Sequence, residues 1–174
     1  MSLEGTQQVC LLTRKDGGEQ PEGELRATLA RLQARASADF VAVLDERKRQ
    51  EREWANFSRD KNLAHPYGKT QEQRRGNAKW YSTTAVSIEY RNAWLKEKVP
   101  AKVFLDYACG DGHETLKAAR MGAALSIGID VSNVSITNAT EAAAREGLSE
   151  KCAFIEGDSA ATGLPDAPVA VILC

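Results

Sequence analysis

The sequence has few of the residues that hold metals or form disulfides. Its 174 residues include two histidines and four cysteines. The cysteines are scattered, without a Cys-x-x-Cys pair, at Cys10, Cys109, Cys152 and Cys174. This spacing indicates small, reduced apolar side chains of a cytoplasmic protein, and it provides neither a disulfide framework nor a zinc site. We therefore expect a cytoplasmic location and no metal centre.

Long apolar runs and an excess of one charge are also missing. Residues 9–12 form the first apolar run, and no basic residue precedes them. We therefore predict no secretory leader, and no run approaches the roughly 20 apolar residues of a membrane-spanning helix. The 23 Lys and Arg residues nearly balance the 24 Asp and Glu residues. No net field then attracts the protein to nucleic acid or to a membrane, and we expect neither as a partner.

A glycine-containing turn between an apolar run and a helical segment is the centre of the sequence. The run at residues 103–105 follows Pro100 and predicts a buried parallel strand. The turn at residues 108–112 carries little side-chain bulk, so its backbone can lie against a ligand. The helix after the turn is expected to end at Gly122. A strand, a glycine turn and a helix N terminus in this order are typical of a nucleotide-binding corner.

Acidic residues follow the next two predicted strands. A second buried strand, residues 124–129, ends in Asp130, and an acid about 20 residues beyond the glycines can accept hydrogen bonds from ribose hydroxyls. A third strand, residues 152–155, is followed by Asp158, and a fourth covers residues 169–174. Strands alternate with helical patterns, which predicts an α/β fold: a doubly wound parallel sheet with strand order 3-2-1-4. Ligands of such sheets bind at the carboxyl edge.

The glycine turn departs from one familiar cofactor motif. A dinucleotide fingerprint, Gly-x-Gly-x-x-Gly, needs a third glycine for helix packing. This sequence has Thr115 at that position, three residues after Gly112. A nicotinamide-dependent oxidoreductase is therefore disfavoured, although it stays as the alternative enzyme class.

Three short motifs stand at the predicted strand ends. They are Asp106-x-Ala108-x-Gly110-x-Gly112, Gly128-Ile129-Asp130-Val131-Ser132 and Gly157-Asp158. Together they resemble the class I S-adenosylmethionine-dependent methyltransferases, over roughly residues 81–174. Ala108 stands where that family usually has its first glycine, and we expect this smallest replacement to be tolerated. The resemblance implies a Rossmann-like fold, S-adenosylmethionine as cofactor, and in-line displacement at the sulfonium methyl.

The resemblance also implies a role for each motif residue at the methionine and ribose moieties. Asp106 would face the ammonium of the methionine moiety. The backbone at Ala108, Gly110 and Gly112 would lie along the cofactor. Asp130, at an open strand end, would accept hydrogen bonds from both ribose hydroxyls. The alternatives are structural: Asp106 as an acid at a helix terminus, and Asp130 as the residue before a helix N-cap.

At the adenine the resemblance implies contacts from the loops after the second and third strands. Val131 would pack on the adenine face. Asp158 would accept a hydrogen bond from the adenine amino group, with Ser159 beside it. The alternative for Asp158 is an ordinary turn residue. No catalytic base is identified: the position of His113 suits capping or exposure more than catalysis, and His65 is only a loose candidate.

Residues before the first predicted strand indicate a helical extension. Apolar residues recur every three or four positions over residues 24–59, which predicts a helix. A tail with a possible short strand at residues 8–13 precedes it. The mixed charges of residues 46–53 favour a solvated helix face, laced by pairs four apart, over nucleic-acid contact. A second helical region is expected over residues 71–98. There Trp80 and Tyr81 resemble aromatic residues that cover the cofactor in the family, with packing against the sheet as the alternative.

The domain organisation follows from these elements. We expect a polar tail at residues 1–23, a helical extension or cap at residues 24–98, and a cofactor-binding domain at residues 99–174. The family's sheet has seven strands and this chain stops at the fourth. We therefore expect the N-terminal part of a longer methyltransferase or, alternatively, a truncated cofactor-binding or scaffolding fragment without turnover. The fourth strand would be an unpaired apolar edge that can self-associate. The methyl acceptor stays unidentified: protein, small metabolite, lipid and glycan are all open.

Overall fold

A computed structural model describes residues 12–13, 22–60, 85–165 and 169–173. The strands in these ranges are β1 (Leu12–Thr13), β2 (Val103–Tyr107), β3 (Leu125–Asp130), β4 (Cys152–Glu156) and β5 (Val169–Leu173). The helices are α1 (Glu22–Gln33), α2 (Ser37–Ala42), α3 (Glu46–Arg59), α4 (Ala85–Lys98), α5 (His113–Arg120) and α6 (Asn133–Arg145), with a 3-10 turn at Ser149–Lys151. Strands and helices alternate from β2 onward, as the apolar runs predicted.

The sheet contains the four parallel strands in the predicted order. Its strand sequence is β1-β5-β2-β3-β4, so the parallel strands, numbered along the chain, run 3-2-1-4. Strand β2 lies in the centre, with Val103 opposite Leu125 of β3 and Phe104 opposite Val171 of β5. Parallel strands end at one edge of a sheet. The acids Asp106, Asp130 and Glu156 are therefore brought to a common carboxyl edge.

Strand β5 is paired on both sides, which the sequence analysis did not anticipate. The short strand β1 runs antiparallel to it, with Leu12 opposite Ile172 and Thr13 opposite Val171. The expectation of an unpaired edge was therefore wrong, and self-association through that edge loses its basis. The physical reason is that a strand edge offers free N–H and C=O groups, which any extended segment can pair with. Here the segment comes from the predicted polar tail of the same chain.

The extension forms three helices instead of the single one expected over residues 24–59. Helix α3 begins at Asp45, whose carboxylate accepts a hydrogen bond of 2.9 Å from the Lys48 N–H. This is an ordinary N-cap, and it marks the start of a new helix. The apolar pattern continues across this boundary and therefore did not reveal it. Helices α1 and α2 bury Leu25, Leu29 and Phe40, whereas α3 has no buried residue and is held by polar contacts.

Helices cover both faces of the sheet. On one face α1 packs Leu25 and Leu29 against the aliphatic side chains of β2, β3 and β4. On the other face α4 and α5 bury side chains around Phe104, and α6 packs Ala139 and Ala143 on Phe154. Strand β3 lies between the two layers and is buried at all six positions. This is the doubly wound arrangement expected of a parallel sheet.

The aromatic residues predicted before the sheet lie partly inside and partly outside the described ranges. Trp94 on α4 is partly buried and packs against the core around Phe104, as the packing interpretation required. Trp80, Tyr81 and His65 lie outside the described residues. Within the described ranges no helix is long and apolar enough to cross a membrane. Within the same ranges no three His, Cys, Asp or Glu side chains are grouped so that they could hold a metal ion.

Candidate functional site

The turn after β2 has the backbone conformation that its glycines suggest. Ala108, Gly110 and Gly112 have φ values of +55°, +53° and +77°, all in the left-handed region. A Cβ on Gly112 would lie 2.8 Å from side-chain atoms of Ala139 and Phe154. Only glycine therefore allows the close approach of the turn to α6 and β4. Ala108 adopts the same left-handed conformation, at some conformational expense for a residue with a Cβ.

Asp130, at the end of β3, is bound to the turn itself. Its carboxylate accepts a hydrogen bond of 2.8 Å from the Gly110 N–H and one of 2.9 Å from the Ser132 N–H. The residue is only 8% exposed, so it does not lie at an open strand end as expected. Each carboxylate oxygen still has a second lone pair after these bonds. Asp130 thus fixes the turn and keeps acceptor capacity for a further ligand.

Asp106, at the end of β2, is a buried carboxyl group with one side-chain partner. The Thr115 hydroxyl donates a hydrogen bond of 2.8 Å to its Oδ2 atom. Burial raises the pKa of Asp106 to about 6, the Thr115 hydrogen bond opposes this rise, and the nearby charge of Glu114 adds to it. A carboxyl group with this pKa changes its charge near physiological pH, which suits a group that meets a cationic ligand.

Thr115 is a site residue whose role the sequence analysis missed. It is completely buried, and it occupies the place where a dinucleotide fingerprint has its third glycine. The signal was present, since a hydroxyl one helical turn beyond Gly112 points back toward the strand end. It was interpreted only as the absence of glycine.

A cavity of about 270 Å³ lies next to the turn. Its walls include four of the residues predicted from the motifs, namely Ala108, Val131, Asp158 and Ser159, together with Gly157 and Ala160. The other wall comes from the extension and comprises Leu44, Arg47, Lys48 and Glu51. Asp106, Gly110, Gly112 and Asp130 do not line this cavity; they form the turn and the buried support beside it. The structure therefore gathers the predicted residues at one place, in two groups.

Helix α3 lies along the carboxyl edge of the sheet, where it contacts the end of β4 and the segments that follow β3 and β4. Lys48 forms an ion pair with Asp158. Arg52 forms an ion pair with Glu156 at 2.8 Å and donates to Asn133 at 2.7 Å. The side chains of Lys48 and Arg52 are 23% and 13% exposed. The expectation of a solvated face was wrong for these two residues, because their partners lie more than one hundred positions away in sequence.

The C-terminal half of α3 reaches the glycine turn. Asn56 accepts a hydrogen bond of 2.6 Å from the Ser132 hydroxyl. The Arg59 guanidinium lies over Gly110, at 3.5 Å from the Asp111 carboxylate. His113, two residues after Asp111, has a side chain that is 79% exposed. The edge of the sheet is thus covered by one basic helix from Asp158 to Asp111.

Comparison with known proteins assigns this arrangement to a class. Residues 98–174 match a family model described as a methyltransferase domain. The chain is 33% identical over 95 residues to the ribosomal protein L11 methyltransferase of Aliivibrio salmonicida, covering 53% of this chain and 31% of that protein. It is 34% identical over 92 residues to protein arginine N-methyltransferase 1 of Saccharomyces cerevisiae, covering 52% and 26%. The match thus spans between a quarter and a third of the length of these relatives.

A solved structure resembles part of the chain. It is an S-adenosylmethionine-dependent methyltransferase from Geobacter sulfurreducens in complex with S-adenosylhomocysteine, with 26% identity and a TM-score of 0.38. The match covers 44% of this chain and 30% of that one.

Fold, motifs and relatives agree on one class of domain. Residues 98–174 form a Rossmann-like methyltransferase domain. Its family model and its relatives are methyltransferases, as the resemblance to the class I S-adenosylmethionine-dependent methyltransferases implied, and the cofactor of that class is S-adenosylmethionine. The resemblance inferred from the three motifs is confirmed.

Proposed function

We propose that this chain binds S-adenosylmethionine at the carboxyl edge of the sheet and presents it for methyl transfer. The observation that carries the proposal is the cavity bounded by Ala108, Val131 and Asp158, which lies where the three motifs converge. Ligands of doubly wound sheets bind at this edge. The left-handed glycine turn supplies a surface without side chains along which an extended ligand can lie.

The residues present fit an adenosyl cofactor. Asp158 and Val131 line the cavity and supply an acceptor and an apolar surface for adenine. Asp130 retains acceptor capacity for ribose hydroxyls beside its two backbone hydrogen bonds. Asp106 supplies a carboxylate for the ammonium of the methionine moiety. We propose these roles, together with close backbone approach at Ala108, Gly110 and Gly112 and a contact from Ser159, as the binding mode.

The bound cofactor supplies a methyl group activated by the sulfonium charge. The protein's share of the chemistry is then alignment: it holds the methyl carbon in line with an acceptor atom and excludes water from the approach. The described residues assign no general base to this step. We propose that positioning by the turn and by helix α3 accounts for the contribution of this part of the enzyme.

The requirements for turnover and the class of the methyl acceptor are proposed separately from cofactor binding. We propose that turnover requires more than the four parallel strands, because the relatives that share the domain are about three to four times as long as the matched region. A cofactor-binding or scaffolding fragment without turnover is the alternative. The relatives are named for a ribosomal protein and for protein arginine. A protein is therefore the acceptor class to test first.

Calorimetric titration of the chain with S-adenosylmethionine and, separately, with NAD tests the proposal. We expect saturable binding of S-adenosylmethionine at one site and none of NAD at the same concentrations. Binding of NAD without S-adenosylmethionine would overturn the cofactor assignment. Incubation with methyl-labelled cofactor and candidate acceptor proteins then separates turnover from binding alone.

A further inference from the structure

The acid predicted to recognise adenine already has two partners within the chain. Asp158 accepts a hydrogen bond of 2.9 Å from the Ala160 N–H on its Oδ1 atom. Its Oδ2 atom is bound by the Lys48 ammonium of helix α3. Both side chains are mostly buried, at 20% and 23% exposure, and both line the cavity. A ligand donor that approaches Asp158 from the cavity therefore meets a carboxylate that keeps one lone pair on each oxygen, but whose charge and cavity side are already taken up by the Lys48 ammonium.

Lys48 can leave this carboxylate without moving the helix that carries it. Helix α3 is held further along by Arg52, which bonds to Glu156, Asn133 and Ser37, and by Asn56. These contacts begin one helical turn beyond Lys48. The lysine itself ends in a compact charge on a flexible four-carbon stem. Its ammonium can therefore change position while the backbone of α3 stays in place.

A second acid, Asp45, lies close enough to pair with the displaced ammonium. The Asp45 Oδ2 atom is 3.9 Å from Lys48 Nζ, three residues earlier in the chain. Asp45 is 59% exposed and lies at the N terminus of the same helix. Exchange of Asp158 for Asp45 leaves the lysine paired and lets water reach it. The loss of the first ion pair is thus partly offset.

We propose that Lys48 is an ionic latch on the adenine end of the site, which competes with the cofactor for Asp158 and swings toward Asp45 when the cofactor binds. This inference rests on the proposed function, since it requires an adenine amino group at Asp158. The latch fills the acceptor with an internal cation until the ligand replaces it. It weakens cofactor binding by the amount needed to break the pair.

The test is calorimetric titration of S-adenosylmethionine into wild-type protein and Lys48→Met. The variant should bind about two- to fivefold more tightly, the range set by an ion pair of partly exposed groups. Lys96→Met is the matched control: Lys96 is exposed near the end of α4, which leads into the opposite edge of the sheet, and its removal should leave affinity unchanged. Thermal unfolding of each variant establishes that it is folded, and Lys48→Gln replaces Lys48→Met if the latter is not.

Two further arms make the test specific. In an Asp158→Asn background, where the latch has no charged partner, Lys48→Met should change affinity by less than about twofold. Raising the salt from about 0.05 M to 0.5 M screens the pair, so the difference between wild type and Lys48→Met should shrink. Weaker or equal binding by Lys48→Met overturns the latch; weaker binding would make Lys48 an orienting partner of Asp158. If wild type also fails to bind S-adenosylmethionine, the proposed function fails first.

Discussion

The Thr115 hydroxyl and the Asp106 carboxyl group form a buried hydrogen bond of 2.8 Å between helix α5 and the end of strand β2. Thr115 is completely buried and Asp106 is 5% exposed. The bond joins the first residue of the glycine motif to the helix that follows the turn. It therefore holds the two sides of the turn together and also favours the ionised form of Asp106.

Thr115→Val should separate the effects of the Thr115–Asp106 hydrogen bond from the packing of the Thr115 side chain. Valine keeps the volume but removes the donor, so a buried carboxyl group loses its partner. We expect a loss of about 1–3 kcal/mol in the free energy of unfolding, measured by urea denaturation. Thr115→Ser keeps the hydroxyl and should therefore retain most of the wild-type stability. The control is Thr137→Val, because the Thr137 hydroxyl bonds only to a carbonyl on the exposed face of α6; an equal loss there would contradict the account.

The raised pKa of Asp106 predicts opposite pH trends for folding and for cofactor binding. The folded-state pKa of about 6 lies above the ordinary pKa of 3.8, so the folded state holds the extra proton between these pH values. The contribution of Asp106 to stability therefore falls as pH rises from about 4 to about 6. A cofactor ammonium requires the carboxylate, so affinity for S-adenosylmethionine should rise about tenfold from pH 5 to pH 7.

Asp106→Asn should remove both pH trends. The amide keeps the size of the carboxyl group but does not titrate. Titrations at pH 6 in two buffers with different ionisation enthalpies should show proton release on binding to wild type and none with the variant. An unchanged pH profile in Asp106→Asn would assign the titration to another group.

Gly110→Ala and Gly147→Ala form a matched pair for the glycine turn. Both glycines have positive φ, +53° and +67°, so alanine is strained to a similar degree at either position. A Cβ at Gly147 meets nothing within 4 Å, whereas one at Gly110 meets the Arg59 guanidinium. That guanidinium is the end of a flexible side chain and can move aside.

We therefore expect the two glycine variants to lose similar stability, about 1 kcal/mol each. Only Gly110→Ala should weaken S-adenosylmethionine binding, on the order of tenfold, because the backbone approach is then obstructed. Equal affinities in the two variants would show that the cofactor does not lie along this turn.

Asp130→Ala should affect both stability and affinity. The Gly110 and Ser132 N–H groups each lose an acceptor, at about 1–3 kcal/mol per buried group. Affinity for S-adenosylmethionine should fall about tenfold to a thousandfold if the ribose hydroxyls bind here. Asp130→Asn should lose less of both, since one carbonyl oxygen survives. A loss of stability with unchanged affinity would reduce Asp130 to a support of the turn.

The sequence was sufficient to predict the parallel strands but not the contacts that helix α3 and strand β1 make with them. Val103 and Val169 open apolar runs separated by helical patterns, so the strands followed from local periodicity and their order from the connection rules for alternating strands and helices. The contacts of Lys48 with Asp158 and of Arg52 with Glu156 could not be predicted, because charged side chains carry no signal of a distant partner. The pairing of Leu12 with Ile172 was equally hidden, since a two-residue strand has no period.

The most direct test is the structure of the chain with S-adenosylhomocysteine bound. The account predicts the adenosyl group in the cavity lined by Ala108, Val131 and Asp158. Its ribose hydroxyls should lie about 3 Å from the Asp130 carboxylate, and its amino group should face Asp158. A ligand bound elsewhere, or one whose ribose is remote from Asp130, would contradict the account.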